Sequence, residues 1–373
     1  MKHLRRWLVA CAVILGLLLA AAAGLWLVYG ESVRVLAGLI TASGENLPPG
    51  VTRQPLILVS GEATVHADIY EPAEPRAVLL FVPGLTSAGK EDSRVLGVSG
   101  VLAGAGFRVV TPDLPGAMTL SAGRQDAAVL GLLLDHLVVE QDGDGLPLGV
   151  VAVSYGLGPA LAAAAPPERA QGIAMVLGLG GYHDGSAIVS YATTGWFTDP
   201  RDGVTRMGHP DPRARWLLLY SLLEHVPSML DRNRLAELAR VGSGGAAPGL
   251  VAITRAMAQG GPDARAILGL IANTELERVD PLIEALPAEA RDDLTALSPS
   301  RLDLAALQDR LVLVHGEKDP VIPYSESLRL ADAVPGSRVY LIPGFSHVEP
   351  GATGIMGQIA MIRAVRVLLS LRR

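Results

Sequence analysis

A short apolar strand that turns directly into a helix of small residues is the most constraining stretch of this sequence. It spans residues 148–161 (LGVVAVSYGLGPAL). Leu148–Val153 is a continuous, valine-rich apolar run, which is typical of a parallel strand covered by helices on both faces. Gly156–Ala165 has the pattern of a helix and is followed by two prolines, which end helices. The sequence therefore predicts an α/β fold with Ser154 on a tight turn between strand and helix.

The residues on either side of Ser154 are small enough for strand and helix to approach closely. Ala152 and Gly156 lie two positions away from it. The pentapeptide resembles the nucleophile elbow of the α/β-hydrolase superfamily, Gly-x-Ser-x-Gly, with alanine in place of the first glycine. Taken alone, it is equally compatible with an ordinary strand-to-helix turn that happens to carry a serine.

Two later stretches also resemble this superfamily. The apolar strand Leu311–His315 leads to Asp319, and Val339–Ile342 leads to His347, so the order along the chain is Ser, Asp, His. The superfamily uses this order. The resemblance implies that Ser154 is the nucleophile, His347 its base and Asp319 the carboxylate that orients the base. Asp184, which follows the predicted strand 172–177, is the alternative acid.

A further loop resembles the segment that supplies the oxyanion hole in this superfamily. Ala77–Val82 is predicted to be a buried strand, and it runs into Pro83-Gly84-Leu85. The resemblance implies that the backbone N–H groups of Leu85 and Tyr155 stabilise the oxyanion of a tetrahedral intermediate. It implies no cofactor and no metal. Proline stands at 83 where histidine is frequent in the family.

The N-terminal segment predicts a membrane anchor. Residues 7–29 are 23 consecutive uncharged, mostly apolar residues, which as a helix would be about 35 Å long, enough to cross a bilayer. Basic residues at positions 2, 5 and 6 favour a cytoplasmic N-terminus and an exported catalytic domain, periplasmic or at the cell surface. A cleaved signal peptide, with small residues at 20–23, is the competing interpretation. An uncleaved anchor is preferred because the apolar run continues past those residues.

The central part of the chain interrupts the alternation of strands and helices with a long, mostly helical stretch. Such an insertion lies where α/β-hydrolases carry a cap over the active site. His209 and His225 within it are interpreted as structural residues. The predicted organisation is an anchor at 1–30, a linker at 31–50, a first core segment at 51–185, a helical cap at 186–308 and a second core segment at 309–373.

These features predict a membrane-bound serine esterase or lipase that acts on small or lipid-like acyl substrates. A formal net charge of −6 argues against nucleic acid as a partner. Peptidase or acyltransferase chemistry with the same residues remains open, as does a non-catalytic binding or scaffold protein on the same fold. The single cysteine, Cys11, excludes an internal disulfide. No pattern indicates an oligomeric state.

Overall fold

The structure, a computed structural model, describes residues 23–44, 46–121, 123–246, 248–296, 298–347 and 353–372. Most of the predicted membrane segment, residues 7–22 with Cys11, lies outside the described residues. The described part of the chain contains one apolar helix that is long enough to cross a membrane, Ala23–Thr41 (α1). By length and composition, that helix fits a membrane span or a signal sequence.

A mostly parallel sheet forms the centre of the core. Its eight strands lie in the order β1-β2-β4-β3-β5-β6-β9-β10. The first strand pairs antiparallel with the second, the second pairs antiparallel with β4, and the remaining pairs are parallel. The strands are β1 Val51–Ser60, β2 Ala63–Pro72, β3 Ala77–Val82, β4 Phe107–Pro112, β5 Leu148–Val153, β6 Ile173–Leu179, β9 Leu311–Gly316 and β10 Arg338–Ile342.

Helices cover both faces of this sheet, which explains why the parallel strands are apolar throughout. All six residues of β3 are buried. Val78 and Leu80 face one hydrophobic core, whereas Leu79 and Phe81 face the other. The helices of the core are α1, α2 Ser93–Gly104, α3 Pro115–Met118, α4 Arg124–Asp144, α5 Leu157–Ala164, α6 Pro167–Ala170, α14 Ser325–Ala333 and α15 Ile355–Ser370.

The region predicted as a cap folds into helices and one small hairpin. It has a hydrophobic core of its own, which includes Trp216, Leu219 and Ile267. Its elements are α7 Gly185–Thr194, β7 Trp196–Thr198, β8 Thr205–Met207, α8 Ala214–Leu222, α9 Met229–Ser243, α10 Leu250–Gln259, α11 Pro262–Ala272, α12 Val279–Glu284 and α13 Ala288–Ala296.

The segment predicted as a linker, 31–50, differs from the expectation. It is helical as far as Thr41, as the continuation of α1. Ser32 and Val35 are buried against the core, and the carboxylate of Glu31 lies 2.8 Å from the guanidinium of Arg372. The first half of this segment therefore packs on the core and is not a free spacer.

Candidate active site

Ser154 occupies the sharp turn between β5 and α5. Its φ of 53° lies in the left-handed region, which is strained for a residue with a side chain. The turn packs tightly on the end of β3, because a Cβ added to Gly156 would collide with the carbonyl oxygen of Pro83. Glycine at 156 is therefore required by space. The strand order and this strand–turn–helix corner define an α/β-hydrolase fold.

One imidazole connects the serine to a carboxylate. His347 lies after β10, and its Nε2 is 2.7 Å from Ser154 Oγ. Its Nδ1 is 2.7 Å from Oδ2 of Asp319, which lies after β9. Parallel strands end at the same edge of a sheet, so three loops that are distant in sequence meet there. This arrangement can move a proton from the hydroxyl to the imidazole while the carboxylate holds the ring.

The carboxylate of Asp319 is buried and has hydrogen-bond donors on both oxygens. Oδ1 accepts bonds from the backbone N–H groups of Val321 at 2.8 Å and Ile322 at 2.9 Å. Burial alone would raise the pKa of Asp319, but interactions with His315 and His347 outweigh it and hold that pKa well below its usual range. The group is therefore an anion at neutral pH.

His315 is a buried residue of the site that the sequence reasoning did not identify. It is the penultimate residue of β9, and its Nε2 lies 2.9 Å from the carbonyl oxygen of Ile322 and 3.4 Å from Asp319 Oδ2. Ser327 Oγ lies 2.7 Å from the other ring nitrogen. The one signal in the sequence is a histidine at the end of an otherwise apolar strand, which does not specify these partners.

Asp184, the alternative acid, forms hydrogen bonds with residues other than His347. Its carboxylate accepts hydrogen bonds from the backbone N–H of Ser186 at 2.8 Å and from the hydroxyl of Ser300 at 2.9 Å. These contacts cap the N-terminus of α7. The structure brings Asp319, and not Asp184, into hydrogen-bond contact with His347.

The loop before α7 is held by a buried acid. Glu326 accepts bonds from the backbone N–H groups of His183 at 3.1 Å and Asp184 at 2.8 Å. Burial raises the pKa of Glu326 to about 7, although these two bonds oppose the shift. This carboxyl group therefore titrates near neutral pH at the junction of core and cap.

Of the two residues predicted for the oxyanion hole, one is the sequence neighbour of Ser154 and the other follows a glycine that packs against it. Tyr155 follows it directly, and Leu85 follows Gly84, where an added Cβ would lie 3.9 Å from Ser154 Oγ. The side chain of Tyr155 is buried, and its hydroxyl donates a 2.9 Å hydrogen bond to Asp126. The loop after β3 thus lies against the turn that carries Ser154.

Asp126 is a second buried residue that the sequence did not reveal. Besides Tyr155, it accepts hydrogen bonds from the backbone N–H groups of Gly116 at 2.8 Å and Ala117 at 3.0 Å. Burial raises the pKa of Asp126 above its ordinary value, although the three bonds oppose the shift. The carboxyl group of Asp126 thus connects α3 and α4 to Tyr155, the residue that follows Ser154.

The two cap histidines lie in different surroundings. His209 is exposed, whereas the ring of His225 is buried and its Nε2 lies 3.6 Å from Asp293. Glu224, His225 and Asp293 each place a ligand atom within 4.8 Å of the others and could hold a metal ion. The guanidinium of Arg124, in the core, also lies 3.3 Å from the carboxylate of Asp293. We therefore interpret the cluster as an ion-pair network between cap and core.

Sequence comparisons with known proteins match only part of the chain. No protein-family model matches it. Two Mycobacterium tuberculosis proteins, each provisionally named a phosphoribosyl transferase, are 30% identical over 141 residues, or 35% of this chain. The chain spans 30% of the length of these curated relatives.

Several solved structures are similar to this chain at low sequence identity. A soluble variant of monoglyceride lipase from Saccharomyces cerevisiae is 14% identical, with a TM-score of 0.48 over 89% of this chain and 99% of that one. Dienelactone hydrolase from Anabaena variabilis is 16% identical, with a TM-score of 0.43 over 86% and 98%. Est1E from Butyrivibrio proteoclasticus is 14% identical, with a TM-score of 0.42 over 85% and 98%. These values are too low to bear on substrate, and the fold is assigned from the strand order and the corner at Ser154.

Proposed function

We propose that the chain is a serine hydrolase that cleaves carboxylic esters through an acyl-serine intermediate. The observation that carries the proposal is the imidazole of His347, which lies 2.7 Å from Ser154 Oγ and 2.7 Å from Asp319 Oδ2. A serine hydroxyl is a weak nucleophile at neutral pH and needs a base in contact with it. His347 is in position to be that base.

The protonation states follow from the two contacts. Asp319 is an anion that can only accept, so His347 donates from Nδ1 and leaves Nε2 free to accept the serine proton. Oγ attacks the ester carbonyl carbon, and Nε2 takes the proton. The C–O bond to the alcohol then breaks, and the alcohol oxygen receives that proton from Nε2. Asp319 stabilises the imidazolium that exists between these two transfers.

The negative charge that develops on the carbonyl oxygen needs donors that are already in place. The backbone N–H groups of Leu85 and Tyr155 are assigned this role, since Tyr155 follows Ser154 and Leu85 follows Gly84, which packs against Ser154. A water molecule, activated by His347 in the same way, then attacks the acyl carbon and releases the acid and Ser154. Residues 186–308 are assigned the role of a cap that excludes bulk water and shapes the acyl pocket.

The proposed location follows from the N-terminal segment. Residues 7–29 act as a single membrane span, with the N-terminus in the cytoplasm and the catalytic core on the other side. The exposed apolar side chains at 25–28 support a membrane environment for the start of α1. A reporter enzyme fused after residue 50 that was active only in the cytoplasm would contradict this topology.

Labelling with a fluorophosphonate probe tests the nucleophile. The detergent-solubilised full chain should be labelled, Ser154→Ala should not, and Ser300→Ala should be labelled like the wild type. Equal labelling of wild type and Ser154→Ala would remove Ser154 as the nucleophile. A folded wild-type protein that is not labelled would favour the non-catalytic binding protein.

A panel of p-nitrophenyl esters from two to sixteen acyl carbons then tests the reaction. Turnover that depends on Ser154 supports an esterase. Labelling of Ser154 without hydrolysis of any ester would favour a peptidase or an acyltransferase that uses the same residues.

A further inference from the structure

We infer that α1 holds the catalytic serine on the side of the core that faces away from the anchoring membrane, so that the substrate reaches Ser154 through water. The inference concerns the substrate class and access route of the site proposed above, and it rests on that function and on the membrane anchor. The orientation is defined by two opposite edges of the sheet. The strand-start edge is where the parallel strands begin, and the strand-end edge is where Ser154, Asp319 and His347 lie.

The part of α1 that packs on the core, which we call its packed part, begins at residues 29–31, and these residues lie at the strand-start edge. Glu31 is 2.8 Å from Arg372, which follows α15, and 3.8 Å from Arg76, which directly precedes β3. Tyr29 lies under the guanidinium of Arg366, 4.9 Å from ring centroid to Cζ. The backbone N–H of Arg76 in turn bonds to the carbonyl oxygen of Gly106, just before β4. These contacts fix residues 29–31 at the edge opposite the catalytic residues.

The end of α1 lies towards the strand-end edge. A Cβ added to Gly38 would lie 3.0 Å from Val101, late in α2, and a Cβ added to Gly97 would lie 2.8 Å from Ala42. α2 begins near the loop after β3, because Asp92, its N-cap, accepts a hydrogen bond from the hydroxyl of Thr86. α1 therefore runs antiparallel to α2, from the strand-start edge towards the strand-end edge.

The residues that precede the packed part must then project from the strand-start edge. Leu25, Trp26, Leu27 and Val28 are 46–86% exposed and apolar on all sides of the helix. A helix that is apolar all round belongs in a membrane or a protein core, and no part of the described core covers these residues. The membrane is therefore expected directly below the strand-start edge, where residues 25–28 enter it.

The thickness of the sheet sets the distance from this membrane to the nucleophile. β5 has six residues and carries Ser154 at its far end, so the serine lies about 20 Å above the strand-start edge at roughly 3.3 Å per residue. Because α1 is packed along this whole height, the core cannot tilt over to bring the site to the bilayer without breaking those contacts. An acyl chain has to leave the anchoring bilayer completely before it reaches Ser154.

This geometry selects a substrate class. Each methylene withdrawn from a bilayer lowers the population in water about fourfold, so long-chain lipids of the anchoring membrane are poor substrates. The expected substrates are short-chain or otherwise water-soluble acyl esters.

The orientation is measured without any catalysis. In a Cys11→Ser background, Glu74→Cys places a dye at the strand-start edge and Ser87→Cys places one at the strand-end edge; both positions are exposed. The full-length variants are reconstituted in phosphatidylcholine vesicles with an acceptor dye on the lipid headgroups of both leaflets. Energy transfer should be strong from residue 74 and weak from residue 87. Equal transfer, or stronger transfer from 87, overturns the inference, and because the readout needs no active enzyme, its failure is distinct from that of the proposed hydrolase.

The substrate class is measured with the wild-type protein in the same vesicles. p-Nitrophenyl butyrate should be hydrolysed at the same rate in vesicles and in detergent, whereas a fluorogenic long-chain diacylglycerol should be hydrolysed at least about tenfold more slowly when embedded in the vesicle than in mixed micelles. Equal rates for the embedded and the dispersed lipid overturn the inference. Absence of all hydrolysis and of probe labelling refutes the proposed function, and the transfer experiment then decides the orientation alone.

Discussion

Replacing Asp319 with asparagine changes one atom and tests the proposed relay directly. Oδ1 accepts hydrogen bonds from the backbone N–H groups of Val321 and Ile322. An asparagine keeps those two bonds only with its carbonyl oxygen at that position. Its amide NH₂ group then points at Nδ1 of His347, where Oδ2 now lies at 2.7 Å.

This orientation reverses the tautomer of the imidazole. An NH₂ group facing Nδ1 requires an acceptor there, so the ring proton moves to Nε2 and points at Ser154 Oγ. The imidazole can no longer take the serine proton, and the imidazolium loses its counter-charge. We expect kcat to fall about 10⁴-fold, as in other serine hydrolases with this change, or about 5 kcal/mol of transition-state stabilisation.

The assay is steady-state hydrolysis of a short p-nitrophenyl ester, together with the rate of fluorophosphonate labelling. KM should change little, because Asp319 does not touch the substrate in the proposed mechanism. Thermal unfolding of the variant verifies that the protein is folded, since the loss of the buried anion also alters its partner His315.

Asp184→Asn is the matched control, because it makes the same chemical change at the alternative acid. Its partners are Ser186 and Ser300, so kcat should stay within about threefold of wild type. The reasoning is refuted if Asp319→Asn retains most of the activity. It is equally refuted if Asp184→Asn is the variant that loses activity.

Three further predictions concern the surroundings of the site. Gly156→Ala should lower the free energy of unfolding by about 1–3 kcal/mol and slow ester hydrolysis, since its Cβ meets the carbonyl oxygens of Val82 and Pro83. Gly143→Ala has no neighbour within 4 Å and lies in the last turn of α4, so it should be at least as stable as wild type in the same denaturant titration. Because the pKa of Glu326 is raised from 4.5 to about 7, its contribution to stability is fully present below pH 4.5 and is lost as pH rises through about 7. Between pH 5 and 8, the Tm of Glu326→Gln should therefore fall less steeply with pH than the Tm of the wild type. An unchanged slope would contradict the assignment. Tyr155→Phe removes one hydrogen bond from buried Asp126 and should cost about 1–3 kcal/mol in chemical denaturation; full stability would show that the bond contributes nothing.

Much of the fold can be predicted from the sequence because parallel strands covered on both faces are continuous apolar runs. β3 and β5 have the predicted bounds, and the loops that carry Asp319 and His347 follow strands as expected. Ser154, Asp319 and His347 each follow a predicted parallel strand. Because parallel strands end at one edge of the sheet, this is enough to predict that the three residues converge. The assignment of their roles remains a prediction that the proposed experiments address.

Other features depend on partners that are distant in sequence and could not be predicted. Asp126 lies in the first turn of a predicted helix, and nothing in that helix indicates that its carboxylate bonds to Tyr155. From the sequence, His315 is only a polar residue near the end of an apolar strand. Its partners Ser327 and Ile322 are identified only in the structure. Residues 31–50 are predicted to be a linker, and nothing in that segment indicates that Glu31 pairs with Arg372, which is more than 300 residues further along the chain.

The alternation of side chains along β3 means that one strand serves two separable tasks. Leu79 packs in the layer that holds α1, α2 and α15, while Leu80, its immediate neighbour, packs in the layer that holds α4 and α5. Substitutions at adjacent positions of this strand are therefore expected to act on different layers: one at Leu79 on the packing of α1, α2 and α15, and one at Leu80 on the packing of α4 and of α5, the helix that follows the turn at Ser154.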